Sequence, residues 1–277
     1  MKIKEIYNRL AYEYDKDHFY PNSAANYVEE RRFDLIRPYL RESKNLRILD
    51  VSCGTGTYLG IASDLGTNAV GCDVSEDMIA VCKKKGFDRV IINDYHSLPF
   101  KDSTFDLILC INAIHYSDNP ETVLNEMRRV LADNGTILFT YFNSLNFRSV
   151  NYIRRFYKID HPISKEHRYT PYRIKKIFLK VRLISTDFYG INLLPVPTNS
   201  RSRNEVFLRF FKKVELITRK TQLMHFFNEN FVVLKKNALK QIFFTSNVFH
   251  EAFHFIYKAH VHYFHLHSHF HILFHHL

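Results

Sequence analysis

Only four of the 277 residues are cysteine, and the spacings of Cys53, Cys72, Cys82 and Cys110 match no zinc pattern. That scarcity argues against a disulfide-stapled secreted scaffold, and the thiols read as reduced, packed groups of an intracellular protein. No run approaches the 18 apolar residues that mark a membrane-spanning helix. The first ten residues, MKIKEIYNRL, lack the apolar core of a signal peptide. The cytoplasm is therefore the expected compartment. What is present is ordinary for a globular protein, 46% apolar and 24% charged, on a length that suits one large domain or one domain with an insert. The charge is uneven. Residues 1–150 carry 18 basic and 21 acidic side chains, net −3, whereas residues 151–277 carry 21 and 7, net +14. A basic half attracts phosphates, nucleic acid or anionic lipid, or serves as solubilising surface.

The most informative stretch is 46–59, LRILDVSCGTGTYL. An apolar run from Leu46 to Val51 contains Asp50 and passes into the small-residue turn Ser52-Cys53-Gly54-Thr55-Gly56, before a segment able to form a helix. This predicts a buried parallel strand and a strand-to-helix turn where a ligand approaches the backbone, the layout of nucleotide sites on doubly wound sheets. Asp73 ends the next apolar run about 20 residues after the turn, where a carboxylate accepts both ribose hydroxyls. Asp94 follows a third run, Val90-Ile91-Ile92, within reach of an adenine amino group. Strands are expected at 47–51, 69–73, 89–92, 105–111 and 135–142, with helices at 56–65, 76–85 and 119–132. That alternation argues for a parallel sheet covered on both faces. Ser75 is the expected N-cap of the second of these helices, and Asn134-Gly135 the left-handed cap of the last.

These residues resemble a family, the class I S-adenosylmethionine (SAM)-dependent methyltransferases of the small-molecule type. ILDVSCGTG stands for the family's glycine-rich first motif, VGCDVSEDMI for its ribose-binding second, and INDYHSLPFKDSTFDLILCINAIHY for the stretch from the adenine contact to the fourth strand. The resemblance covers roughly residues 5–142 well and extends loosely to about 236. It implies a Rossmann-like three-layer α/β sandwich with a seven-stranded mixed sheet, order 3-2-1-4-5-7-6, strand 7 antiparallel and helical inserts over the acceptor site. It also implies SAM as cofactor, held by Tyr14, Asp50, Ser52, Gly54, Gly56, Asp73, Val74, Met78, Asp94, Tyr95 and Asn112. Ser52 departs from the family, which usually has its first glycine there. The rival with the same layout, a dinucleotide-binding dehydrogenase, needs a third glycine three residues after the second. Leu59 occupies that place, with Gly60 one position late.

Residues 2–15 predict a helix with Ile3, Ile6, Leu10 and Ala11 at helical spacing, followed by a second at 24–41. The resemblance makes residues 1–41 a lid, with Tyr14 near the cofactor. His115, in the loop after the fourth strand, is the candidate catalytic residue, able to take a proton near neutral pH; the same ring also suits a role in holding the loop. Residues 143–170 interleave aromatics with Arg148, Arg154, Arg155 and Lys158. With 191–226 they are expected to cover a small-molecule or lipid-like acceptor, flat or partly apolar and carrying an anionic group, with Arg148, Arg154, Arg155 and Arg168 the candidates to grip it. Thr170-Pro171 predicts a helix start, running to about 180, then a sixth strand at 182–189, a helix at 202–226 and a seventh strand at 231–234. Two other readings share the first motifs: a catalytically silent SAM-binding subunit of a partner protein, and an RNA methyltransferase favoured by the basic second half. Residues 237–277 hold ten of the 16 histidines. His265, His267, His269 and His271 fall on alternate positions, a pattern imidazole-binding metals suit, but no acid or cysteine follows Glu251 and no metal site is assigned. The stretch is expected to be an accessory tail to a methyltransferase domain of residues 1–236.

Overall fold

The computed structural model describes residues 3–18, 23–42, 45–67, 69–145, 166–192, 205–218, 220–221 and 227–236. The chain divides into two compact units, 1–236 and 237–277; the tail, with its alternating histidines, lies outside the described residues, as do Arg148, Arg154 and Arg155.

Three helices open the chain, α1 (Ile3–Leu10), α2 (Tyr14–His18) and α3 (Ala24–Arg41). The alternating unit follows: β1 (Ile48–Val51), α4 (Thr57–Asp64), β2 (Ala69–Asp73), α5 (Glu76–Lys84), β3 (Val90–Ile92), β4 (Phe105–Cys110), a single 3-10 turn (Ile114–Tyr116), α6 (Pro120–Val130) and β5 (Leu131–Phe142). The second half adds α7 (Pro171–Lys180), β6 (Leu183–Ile191), α8 (Glu205–Thr218) and β7 (Glu229–Lys236). One seven-stranded sheet results, ordered β3-β2-β1-β4-β5-β7-β6. β1 pairs parallel with β2 and β4, and β7 runs antiparallel between β5 and β6. This is a Rossmann-like α/β sandwich with the expected strand order.

Period-two burial explains the layers. Leu49 and Val51 of β1 join Ile137, Phe139 and Tyr141 of β5 under α6 and α7. Ile48, Leu107, Leu109 and Leu138 face the other way, under Leu35, Ile36 and Leu40 of α3 and Tyr58 of α4. With helices on both faces β1 is buried throughout, as parallel strands require. Local caps set the helix starts: the side chains of Ser23, Ser75, Asn119 and Thr170 each accept a backbone N–H of the first turn. Among the described residues no helix is long and apolar enough to cross a membrane.

Three expectations need correction. The N-terminal helix is broken: α1 stops at Leu10, a turn carries the chain through 11–13, and α2 begins at Tyr14. The break frees Asp15 to reach the glycine turn, where its carboxylate meets Thr55 and Lys85. Second, Asn134-Gly135 is no helix cap. β5 starts at Leu131 directly after α6, and Gly135 is absent from the glycines of positive φ. Its glycine serves packing instead, since a Cβ there would lie 2.6 Å from Leu131 Cδ1. The β4–β5 register shifts between Phe105 and Leu107, so the extra residues of 131–135 are absorbed as an irregularity. Third, β7 is eight residues long rather than four, because it pairs along β5 as well as β6.

Candidate functional site

The carboxyl ends of β1, β2 and β3 converge on the turn after β1. Asp50 is 1% exposed, and among the described residues its Oδ2 has no hydrogen-bond partner. Ser52 takes φ 61 and Gly54 φ 54, left-handed backbone that costs a side-chain-bearing residue about 1–2 kcal/mol. Ser52 therefore adopts what glycine would adopt freely, the physical content of its departure from the motif. Gly54 has open space where a Cβ would stand, whereas a Cβ on Gly56 would lie 2.8 Å from Phe87. Gly56 is thus set by helix packing and by its φ of 85, and Gly54 by the room left above it.

Asp73 ties this turn to the second strand. Its Oδ2 accepts from the Gly54 amide at 2.9 Å and its Oδ1 from the Ser75 amide at 2.9 Å. Burial pushes the Asp73 carboxyl above its ordinary value, opposed by the amides of Ser75, Gly54 and Val74. Burial and then the charge of Asp73 push Asp50 well above its own. Both carboxyls therefore bind a proton more readily in the native state than in the unfolded chain, so their contribution to stability falls as pH rises through the raised values. A cation bound between them would offset that cost. Val74 follows Asp73, and Met78, 1% exposed, lies in the first turn of α5 with its amide on Ser75 Oγ at 3.1 Å.

The N-terminal helices close over these elements. Asp15 accepts from the Thr55 hydroxyl at 2.5 Å and pairs with Lys85 at 2.5 Å, while Lys85 also donates to the Thr55 carbonyl at 2.8 Å. The Ser75 hydroxyl donates to Asn8 Oδ1 at 2.6 Å, and Lys4 meets Glu76 at 2.6 Å. The Tyr7 hydroxyl donates to that of Tyr116 at 2.7 Å, and its ring lies 6.2 Å from Tyr14. Tyr14 lies within the electrostatic reach of Tyr7, Glu29, Arg32 and Asp73. Lys85, Asn8 and Lys4 escape a sequence reading because each acts on a partner far along the chain.

Asp94 and Tyr95 lie in the turn after β3, tied to β2 by the Asn93 amide on the Asp73 carbonyl at 2.9 Å. Asn112 takes φ 56 after β4 and its amide donates to Thr140 Oγ1 at 2.8 Å; among the described residues its buried Oδ1 has no partner. His115 is fully buried, its ring 3.9 Å from Tyr116 and 4.2 Å from Phe142. Its carbonyl accepts from the His167 amide at 2.7 Å. Asn143 and Tyr169 form a parallel bridge at the exit of β5. Arg168 there donates to Asn228 Oδ1 at 3.1 Å and stacks 5.1 Å above the Phe142 ring, with Glu166 at 3.5 Å. Among the described residues no group of three or more metal-ligating side chains occurs.

Comparison with known proteins agrees with this geometry. Residues 49–139 match the family described as methyltransferase domain. An uncharacterized protein of Methanocaldococcus jannaschii is 35% identical over 143 residues, 52% of this chain and 53% of that protein. The probable tRNA methyltransferase 9B of Mus musculus is 31% identical over 137 residues, 46% of this chain and 30% of that protein. The chain thus spans about half the length of the first relative and less of the second. The magnesium protoporphyrin IX methyltransferase of Synechocystis PCC 6803, solved with bound SAH (the demethylated product of SAM), superposes with a TM-score of 0.59 at 11% identity, covering 85% of this chain and 98% of that one.

Proposed function

We propose, from the premise that this chain carries a class I SAM-dependent methyltransferase domain, that it binds SAM at the carboxyl ends of β1–β3 and transfers the methyl group to an anionic small molecule beside β4 and β5. The observation that carries the reading is Asp73, whose two oxygens join the glycine turn and the head of α5 into one preformed unit. The donor fits the residues present: Asp50 is a buried acid with an oxygen that has no partner among the described residues, beside a second acid, and SAM brings an ammonium and a sulfonium. When bound, it supplies an electrophilic methyl on sulfur.

In this reading Ser52, Gly54 and Asp50 hold the amino-acid portion, Gly56 sets the entry of α4, Asp73 takes the ribose, and Val74, Met78, Asp94 and Tyr95 line the base. Tyr14 offers an aromatic face to the cation. Helices α1 and α2, pinned through Asp15 and Tyr7, exclude water. Asn112 and the 114–116 turn border the acceptor, and Arg168 grips its anionic group. Phe142, Tyr116 and Tyr7 supply the aromatic walls that suit a flat acceptor. His115 is assigned the proton, reaching the acceptor through a shift of its turn, since its ring is enclosed by Tyr116 and Phe142. His115→Ala is then expected to lower turnover about 100-fold or more. A rate within about threefold of the parent would return His115 to loop packing, where catalysis is alignment alone.

A second acceptor class, RNA, is favoured by the tRNA methyltransferase among the relatives and by the net +14 of residues 151–277. The two separate by methyl incorporation at about 50 and 200 mM salt into small anionic aromatics and lipids, set against structured RNA. Incorporation into a small molecule with shallow salt dependence is expected. Labelled RNA, with affinity falling steeply as salt rises, would establish the second class. Tight SAH binding with no product in any arm would leave a silent subunit.

A further inference from the structure

One carboxylate oxygen of Asp94 is fully engaged inside its own turn. Oδ1 accepts from the His96 amide at 2.9 Å and lies 2.6 Å from Nδ1 of the His96 ring. Nε2 of the same ring lies 2.9 Å from Oγ of Ser117, in the loop after β4. Ser117 is 1% exposed, and its oxygen also accepts from the Asn119 amide at 3.1 Å. The turn is braced further: Asn93 Nδ2 donates to the carbonyls of Asp94 at 2.6 Å and Ser97 at 2.9 Å. The His96 ring stacks on Tyr95 at 4.7 Å.

The protons follow from the partners. A ring nitrogen facing a carboxylate oxygen carries the hydrogen, so in the neutral imidazole Nε2 accepts and the Ser117 hydroxyl donates to it. The order Asp–His–Ser is that of a hydrolytic triad. Here, however, the serine is enclosed and held by a backbone amide, so it offers no nucleophile. What the chain of bonds does is mechanical. It runs from the buried Ser117, just after the 114–116 turn, through the ring to Oδ1 of Asp94. Among the described residues Oδ2 has no partner, and the side chain is 60% exposed. An exposed carboxylate otherwise spreads over several rotamers and loses that freedom on binding.

We infer that His96 is a positioning residue for base recognition: it locks the Asp94 carboxylate so that Oδ2 accepts from the exocyclic amino group of the cofactor's adenine and rejects a purine lacking it. The inference rests on the reading of the site as a SAM site with Asp94 at the base. The competing view is a surface ion pair of little consequence.

Calorimetry with SAH and with its analogue carrying unsubstituted purine in place of adenine separates them, applied to the parent, His96→Ala and His96→Asn. The parent is expected to prefer SAH by about 10- to 150-fold, the worth of one charged hydrogen bond. His96→Ala should weaken SAH by about 10-fold while the purine analogue stays within about threefold, so that the preference falls by about the same 10-fold. His96→Asn returns an N–H near the place of Nδ1 and should restore most of it. An unchanged preference in His96→Ala, or an equal loss for both ligands, would overturn the positioning role. A parent that binds neither ligand would fail earlier, removing the SAM reading and the inference together.

Discussion

Arg32→Met is expected to destabilise the fold by about 3–5 kcal/mol, the cost of breaking a buried ion pair by removing one partner. Arg32 of α3 is 5% exposed and donates bidentately to Glu229 at 3.0 and 2.6 Å, and also to Glu29 one turn before it. The Tyr58 hydroxyl donates to the other oxygen of Glu29 at 3.1 Å. Burial alone would push the guanidinium down, but Glu229 and Glu29 more than offset it and hold Arg32 above its ordinary value. Methionine keeps most of the stem volume and strands two carboxylates in the interior. Urea unfolding checks this: the midpoint should fall with the slope unchanged. Replacing Glu29 and Glu229 by leucine in the same chain should recover most of the loss, since whole buried ion clusters often exchange for apolar residues at little cost. A single Arg32→Met variant within about 1 kcal/mol of the parent would mean that the network is solvated rather than buried.

That network was illegible in the sequence for a physical reason. Glu29 and Arg32 stand three apart on a helix, the spacing of an ordinary surface pair, and their third member lies 197 residues beyond Arg32. The parallel strands, by contrast, were legible because each announces itself locally: Ile48–Val51, Ala69–Asp73 and Val90–Ile92 are short apolar runs closed by a polar turn. The start of β5 carries no local mark of a strand, because Leu131–Gly135 contains an Asn-Gly pair, whose usual meaning is a helix end. Only the contact of Gly135 with Leu131 gives it another one. The break of the first helix was hidden likewise, since Ala11 continues the apolar period of α1 and is itself 1% exposed.

The candidate site divides along the same line. Gly54, Gly56 and Asp73 were readable because backbone conformation and strand ends leave residue-type signatures. The partners that brace them were not. Lys85 on the Thr55 carbonyl, Asn8 on Ser75 and Ser117 on His96 each join segments 21 to 67 residues apart. A lysine, an asparagine or a serine carries no mark of such a partner until the sheet brings the loops together.

Asp73→Ala should weaken SAH binding by about 30- to 150-fold from the lost ribose contact alone, at 2–3 kcal/mol for a carboxylate accepting two hydroxyls. The structure adds a second loss. The same oxygens hold the amides of Gly54 and Ser75, so alanine also leaves two backbone donors without acceptors and frees the glycine turn from α5. Each stranded donor costs about 1–3 kcal/mol if it stays dry. A fall in melting temperature of several degrees is therefore expected, at about 2–4 °C per kcal/mol for a domain of 150–250 residues. Asp73→Asn separates the two losses. Its amide oxygen keeps one backbone donor and some of the stability, while its NH2 group cannot accept a hydroxyl, so affinity should fall nearly as far as in the alanine variant. Calorimetry and thermal unfolding on the three proteins decide the matter. Equal SAH affinity in the parent and Asp73→Asn would take Asp73 out of the ligand site and leave it a brace for the turn. A folded Asp73→Ala variant that melts with the parent would show instead that water replaces the carboxylate at both amides.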